Sequence, residues 1–257
     1  MVVADLHVHT TNSDGQLTLP EVPAAAREAG VEVVALTDHD RLHPALPGPV
    51  ETRDGVTLIH GIELRVQAGE NRVDLLGYAA HRTDALTRLV AQLQDNRIER
   101  ARTMLDCLEA ETGVRPAVPL EPGVGRPHIA RAIAEGPAPY TYEEAFEQLI
   151  GYDCPCYVAR DIPSFDEGVA VLREACGVVS LAHPLRYPDP AAALALLSRL
   201  DAVERQYPYD RRVDETVVER ARIDHEVLAT GGSDAHDTTL GRAGLGPEAY
   251  AQFRDAL

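Results

Sequence analysis

The chain has 257 residues, 45% of them hydrophobic, which suits one large α/β barrel or two small domains. A formal net charge of −17 excludes broad, tight binding of extended double-stranded nucleic acid through a basic footprint, but not a nucleotide or a short RNA end held by metal ions. All 24 basic residues are Arg, so Schiff-base chemistry and a Walker-type lysine are excluded together, and with Trp absent any stacking falls to Tyr, Phe or His.

No run of about 18 apolar residues is present, so no membrane span is expected. Met1 to His7 lacks a basic region followed by an apolar run, and a cytoplasmic protein is the expectation. Cys107, Cys154, Cys156 and Cys176 are too few for a disulfide framework. Cys154-Pro155-Cys156 has no second pair to complete a zinc site, so ordinary buried or loop thiols are expected.

In chain order, strands are expected at 2–8, 32–37, 57–62, 73–78, 177–182, 201–204 and 227–232. Between the first two, Leu19 to Ala29 reads as a helix stopped by Gly30. Residues 84–150 carry no strand pattern. Leu86 to Glu111, 127–135 and 141–150 have helical spacing there, and a Pro- and Gly-bearing stretch, 113–126, separates the first from the others. Arg97, Arg100 and Arg102, with Glu99 and Asp106, read as a solvated helix face. Ser164-Phe165-Asp166-Glu167 is a capping box opening a helix that runs to about Ala175. The alternation of strand and helix favours an α/β architecture with mainly parallel strands. Taken together, 1–257 is expected to be one barrel-type domain, with 84–160 a mainly helical insertion over the active-site end.

His7-Val8-His9 carries the first chemical signal. Residues i and i+2 of a strand share a face, so the two imidazoles project together. Asp234 and His236 repeat that spacing just after an apolar strand. Thr37-Asp38-His39-Asp40 follows Val33 to Leu36, Glu63 follows Val56 to Ile59, and His183 follows Val178 to Leu181. Each group lies at the C-terminal end of its strand, where barrel enzymes build their active sites. Asp38 and Asp40 are expected to accept imidazole N–H groups, and Glu204 is expected either to support the site or to touch substrate.

These motifs, in this order, resemble the PHP (polymerase and histidinol phosphatase) family: His7-x-His9, Ser13-Asp14-Gly15, Thr37-Asp38-His39-Asp40, Gly61-x-Glu63, Gly125-Arg126-Pro127-His128, Ala182-His183-Pro184 and Gly232-Ser233-Asp234-x-His236. The branch they look most like holds nucleotide phosphatases and 5′-to-3′ exoribonucleases. The resemblance implies a distorted seven-stranded TIM-like barrel, (β/α)7, holding three divalent ions. One would be held by His7, His9, Glu63 and Asp234, a second by Glu63, His128 and His183, and a third by Asp14, His39 and His236. Close relatives often carry a His where this chain has Asp74, which leaves the role of that position open.

Mixed nitrogen and oxygen donors suit Mn²⁺, Zn²⁺ or Fe²⁺. Two such ions about 4 Å apart lower the pKa of a bridging water and clamp an in-line displacement at phosphorus. With no Lys in the chain, Arg126 and Arg186, each within three residues of an implied ligand, are the candidates for binding phosphate. The expected activity is hydrolysis of phosphate monoesters of small nucleotides, such as nucleoside 3′,5′-bisphosphates, or of the 5′ ends of short RNA. Histidinol-phosphate hydrolysis is the alternative on the same metals, and a non-catalytic metal-binding PHP module is the alternative of another class. The residue that protonates the leaving group is not identified by the sequence.

Overall fold

Val33-Val34-Ala35-Leu36 is buried at every position, as a strand covered on both faces requires. Val34 and Leu36 pack with Val22 and Ala26, whereas Val33 and Ala35 pack with Ile59, Leu76 and Tyr78. The computed structural model describes residues 1–257. Its elements are β1 (Ala4–Val8), α1 (Val22–Glu28), β2 (Val33–Leu36), β3 (Val50–Arg53), β4 (Val56–Ala68), β5 (Asn71–Tyr78), α2 (Asp84–Thr112), α3 (Arg126–Ala134), α4 (Tyr142–Ala145), α5 (Phe165–Ala175), β6 (Val178–Leu181), α6 (Pro190–Ala195), β7 (Ala202–Gln206), α7 (Thr216–Asp224), β8 (Leu228–Gly231) and α8 (Pro247–Arg254). Two compact units result: Met1–Arg88 with Ile162–Leu257, and Leu89–Asp161.

The first unit carries the sheet, in the order β1-β2-β4-β5-β6-β7-β8, with β3 paired to β4 off that path. β1–β2, β2–β4, β6–β7 and β7–β8 are parallel, and β5 runs antiparallel to both of its neighbours. The reversal of β5 is local in origin. Ala68 pairs with Asn71, so β4 and β5 are joined by a two-residue turn, and Gly69 supplies the positive φ (60°) that such a turn needs. All seven expected strands are present. β4 runs on past residue 62 to Ala68, and β3, a four-residue antiparallel strand, was not anticipated. A parallel bridge joins Val8 to Ala235, with His9 N–H donating to Ala235 O (3.0 Å) and Ala235 N–H to His7 O (3.3 Å).

The second unit is helical. Met104, Leu105 and Leu108 of α2 form a core with Ile129, Ala130 and Ile133 of α3 and with Leu149 and Ile150. α4 opens with a capping box from Thr141 to Glu144 and runs on into one π-helical stretch, Phe146–Ile150. Two expectations are corrected here. Cys107 and Cys156 are not free thiols but form a disulfide, their Cα atoms 5.5 Å apart; Cys154 and Cys176 remain free. The arginine cluster on α2 is also not a solvated face. Arg97 and Arg100 are buried and donate to carbonyl oxygens of Val124 (3.3 Å) and Val158 (2.6 Å), and only Arg102, paired with Glu99, stays exposed. Burial and the neighbouring arginines lower the pKa of Arg100 to about 9. No helix of the chain is long and apolar enough to cross a membrane.

Candidate metal centre

The strand ends of the first unit converge on Glu63. His7 on β1 and His9, one residue past its end, project to the same side as expected, and their Nε2 atoms lie 3.6 and 3.5 Å from the Glu63 carboxylate. The stretch after β8 passes directly against β1: a Cβ on Gly232 would stand 2.3 Å from the Cβ and N of His7, so only glycine fits. That contact brings Asp234 Oδ1 to 3.4 Å from His7 Nε2 and 3.1 Å from His9 Nε2. His39 Nδ1 is 2.6 Å from Glu63 Oε2, and His183 Nε2 is 3.0 Å from Glu63 Oε1.

Three overlapping donor groups emerge: His7, His9 and Glu63; Glu63, Asp74 and His183; and His9, Asp14, His39 and His236. The first two are fully buried, while His39 and His236 are half-buried and open the third group towards solvent. Of the nine ligands implied by the resemblance, His7, His9, Asp14, His39, Glu63, His183, Asp234 and His236 therefore meet in one unit. The ninth, His128, belongs to the other unit, where its Nδ1 accepts the Gly125 N–H (3.1 Å). Asp74, left open by the sequence, stands in the second group.

His7 Nε2, His9 Nε2, Asp14 Oδ1, Glu63 Oε2 and Asp234 Oδ1 are buried and make no hydrogen bond. Leaving so many buried polar atoms unsatisfied is costly unless another partner serves them. Two donors on one ion, each about 2.1 Å from it, lie roughly 3.0–3.4 Å apart. Several spacings here fall in or near that range, so these residues fit divalent cations.

Supporting contacts fix the imidazole protons. Glu204 Oε1 accepts from His7 Nδ1 (3.0 Å), which turns the Nε2 lone pair towards Glu63 and Asp234, and its Oε2 accepts the His183 N–H (2.7 Å). His236 Nδ1 faces the Asp234 carbonyl oxygen (3.0 Å), which aims its Nε2 at Asp14. Asp38 does not bind imidazoles as expected. It accepts from Thr10 N (2.8 Å), Asn12 Nδ2 (3.0 Å) and Ser13 Oγ (2.7 Å), pinning the turn that presents Asp14. Asp5, which sequence reasoning missed, does the same for the stretch after β8 by accepting from Ser233 N (2.9 Å) and Gly241 N (2.8 Å). Its signal was there to read, as a fully buried strand position carrying an aspartate two residues before His7. His183 and Asp234 have positive φ (28° and 49°), strained backbone at two candidate ligands.

Charge is balanced among these groups. Burial opposes a proton on His7, but Glu204, Asp234 and Glu63 outweigh it and raise its pKa well above the ordinary value. Burial and the adjacent His236 and His39 lower His9 to about 4. For His236, burial is overcome by Asp14 and Asp234, which raise it to about 9. Glu63 and Asp234 are held well below the usual carboxylate range despite burial, chiefly by His39 and His7 for Glu63 and by His7 and His9 for Asp234.

The two arginines suggested as phosphate ligands differ in setting. Arg186 Nη1 donates to Asp234 Oδ2 (3.0 Å) and Tyr207 Oη (2.9 Å), which puts it at the donor groups. Arg126 lies in the other unit, donates to Ile150 O (3.3 Å) and stacks over Phe146 and Tyr157.

Comparison with known proteins identifies the family. The PHP domain family model matches residues 5–151. The 3′,5′-nucleoside bisphosphate phosphatase of Chromobacterium violaceum is 30% identical over 195 residues, 73% of this chain and 68% of that protein. The 5′-3′ exoribonuclease Rnm of Escherichia coli is 28% identical over 250 residues, 91% of this chain and 85% of its own length. Among solved structures, a protein of Bifidobacterium adolescentis assigned as a metal-dependent phosphoesterase superposes with a TM-score of 0.82 at 22% identity, over 98% of this chain and 96% of that one, a likeness of fold.

Proposed function

This chain belongs to the PHP domain family and is a metal-dependent phosphoesterase, and from that premise we propose that it hydrolyses phosphate esters of small nucleotides, such as nucleoside 3′,5′-bisphosphates, or of short RNA 5′ ends. The observation that carries the reading is the set of three donor groups sharing His9 and Glu63, with buried atoms that no protein partner satisfies. The names of the phosphatase and exoribonuclease relatives support the substrate class, and the net charge of −17 suits a small anion gripped locally better than a long nucleic acid.

In this proposal His7, His9, Glu63 and Asp234 hold one ion, Glu63 and His183 a second, and Asp14, His39 and His236 a third. His128 is kept as a further ligand of the second on its motif alone. Divalent ions bound there would supply Lewis acidity and an activated water for in-line displacement at phosphorus. The chain's own residues do the rest. Glu204 keeps His7 in the ligating tautomer, Asp38 and Asp5 hold Asp14 and Asp234 in place, and Arg186 binds phosphate oxygens, with Arg126 kept as a second candidate on its motif alone. The sheet is taken to close as a distorted seven-stranded barrel, a reading the Val8–Ala235 bridge supports.

A panel of nucleoside 3′,5′-bisphosphate, AMP, 5′-phosphorylated short RNA and histidinol phosphate, assayed with Mn²⁺, tests the substrate class. Turnover fastest with a nucleotide or RNA end is expected; turnover of histidinol phosphate alone would contradict it.

A further inference from the structure

Arg65 and Asp74 are a directly opposed pair on β4 and β5. Arg65 lies two residues beyond Glu63 on the same strand, so both project from one face of the sheet, and the cross-strand partner Asp74 shares that face. The guanidinium grips Asp74 with two parallel bonds, Nε to Oδ1 (2.7 Å) and Nη2 to Oδ2 (2.6 Å). Asp74 is held in turn. Its N–H donates to Tyr187 Oη (2.8 Å), Tyr187 donates to Ala182 O (3.0 Å), and its Oδ2 lies 3.6 Å from His183 Nε2. The Asp74 side chain is 2% exposed and that of Arg65 38%, so the pair reaches from the buried second donor group to solvent.

We propose that Arg65 binds the substrate's phosphoryl oxygens at the second donor group, with Asp74 as the positioning residue that holds its guanidinium there. A carboxylate ties up two N–H groups of a guanidinium that has five, and the remainder stay available in a fixed plane. In a chain without Lys, this is a permanently charged group set two residues from Glu63, the residue that the first two donor groups share. The proposal rests on the phosphoesterase class alone, so it does not stand or fall with the nucleotide reading.

The test is binding of inorganic phosphate to Mn²⁺-loaded protein by calorimetry, with bound metal counted on the same samples. Arg65→Met is expected to weaken phosphate at least about tenfold, the effect of losing charge-assisted hydrogen bonds, at unchanged metal content. Arg65→Lys should fall between that variant and wild type, because an ammonium keeps the charge but loses the planar fork; it also carries the test if Arg65→Met does not fold. Asp74→Asn, which leaves the guanidinium in place but loosens its hold, should raise KM for a phosphomonoester more than it lowers kcat. Phosphate binding unchanged in a fully metallated Arg65→Met or Arg65→Lys protein would overturn the proposal. Loss of metal from either Arg65 variant would also overturn it, since Arg65 would then serve the cation site through Asp74.

Discussion

Glu204→Gln removes one oxygen's capacity to accept and changes little else in shape. Both Glu204 oxygens face donors: Oε1 meets His7 Nδ1 at 3.0 Å and Oε2 meets the His183 N–H at 2.7 Å. Glutamine offers one acceptor and one NH₂ in their place. Its NH₂ cannot face the His183 amide, which has no other tautomer, so it must face His7. Nδ1 then becomes the acceptor and the imidazole proton moves to Nε2, the atom 3.4 Å from Asp234 and 3.6 Å from Glu63. A protonated Nε2 cannot ligate. The expected result is a loss of about 10–100-fold in affinity for one ion, the usual effect of removing a partner that orients a ligand. If the proton does not move, a buried donor is left opposed by another donor, at a cost of about 1–3 kcal/mol. Calorimetric titration of stripped protein with Mn²⁺ reads the first outcome, and chemical unfolding reads the second. Ion affinities within about twofold of wild type, with unchanged stability, would refute the orienting role assigned to Glu204.

Three further outcomes follow from the same geometry. His60 is buried with its Nε2 unpaired, facing Arg82, His43 and Asp38, and burial followed by Arg82 lowers its pKa to about 4. Between about pH 6.5 and 4 the unfolded chain binds this proton and the folded one does not, so stability is full above 6.5 and is lost as pH falls through that window. Urea unfolding at pH 7.5 and 5 should differ by about 2 kcal/mol more for wild type than for His60→Gln, and equal differences would sink the assignment. Cys107→Ser opens a cross-link between residues 49 apart and should cost about 2–4 kcal/mol in chemical unfolding, as should a thiol reductant; no difference would mean that the bond does not form. Gly232→Ala drives a Cβ into the His7 backbone and should destabilise the chain by about 1–3 kcal/mol or more while weakening metal binding, and a variant with wild-type unfolding and metal content would contradict that close approach.

Ligand-type residues at strand ends were legible because strand parity and position are local properties. His7 with His9, and Asp234 with His236, needed only the spacing of two, and β2, buried on both faces, announced itself by an unbroken apolar run. Features that depend on register were not legible. Glu204 supports His7 across 197 residues, and Arg65 meets Asp74 only because a two-residue turn at Gly69 aligns β4 with β5. The pairing of Cys107 with Cys156 likewise depends on how α2 packs within its unit. β3 escaped because four residues with alternating exposure carry too little apolar signal. Asp38 was assigned to the wrong partners because its position beside His39 says nothing about the turn at 10–13 that folds onto it.

The central claim is that these donor groups hold the cations that make the chain a nucleotide phosphoesterase. The most direct measurement is hydrolysis of a nucleoside 3′,5′-bisphosphate by chelator-stripped protein during stepwise return of Mn²⁺, with bound metal counted at each step. Activity absent at the start and rising with bound ions is the expected result. Full activity in chelator, or full metal occupancy without turnover, would contradict the account.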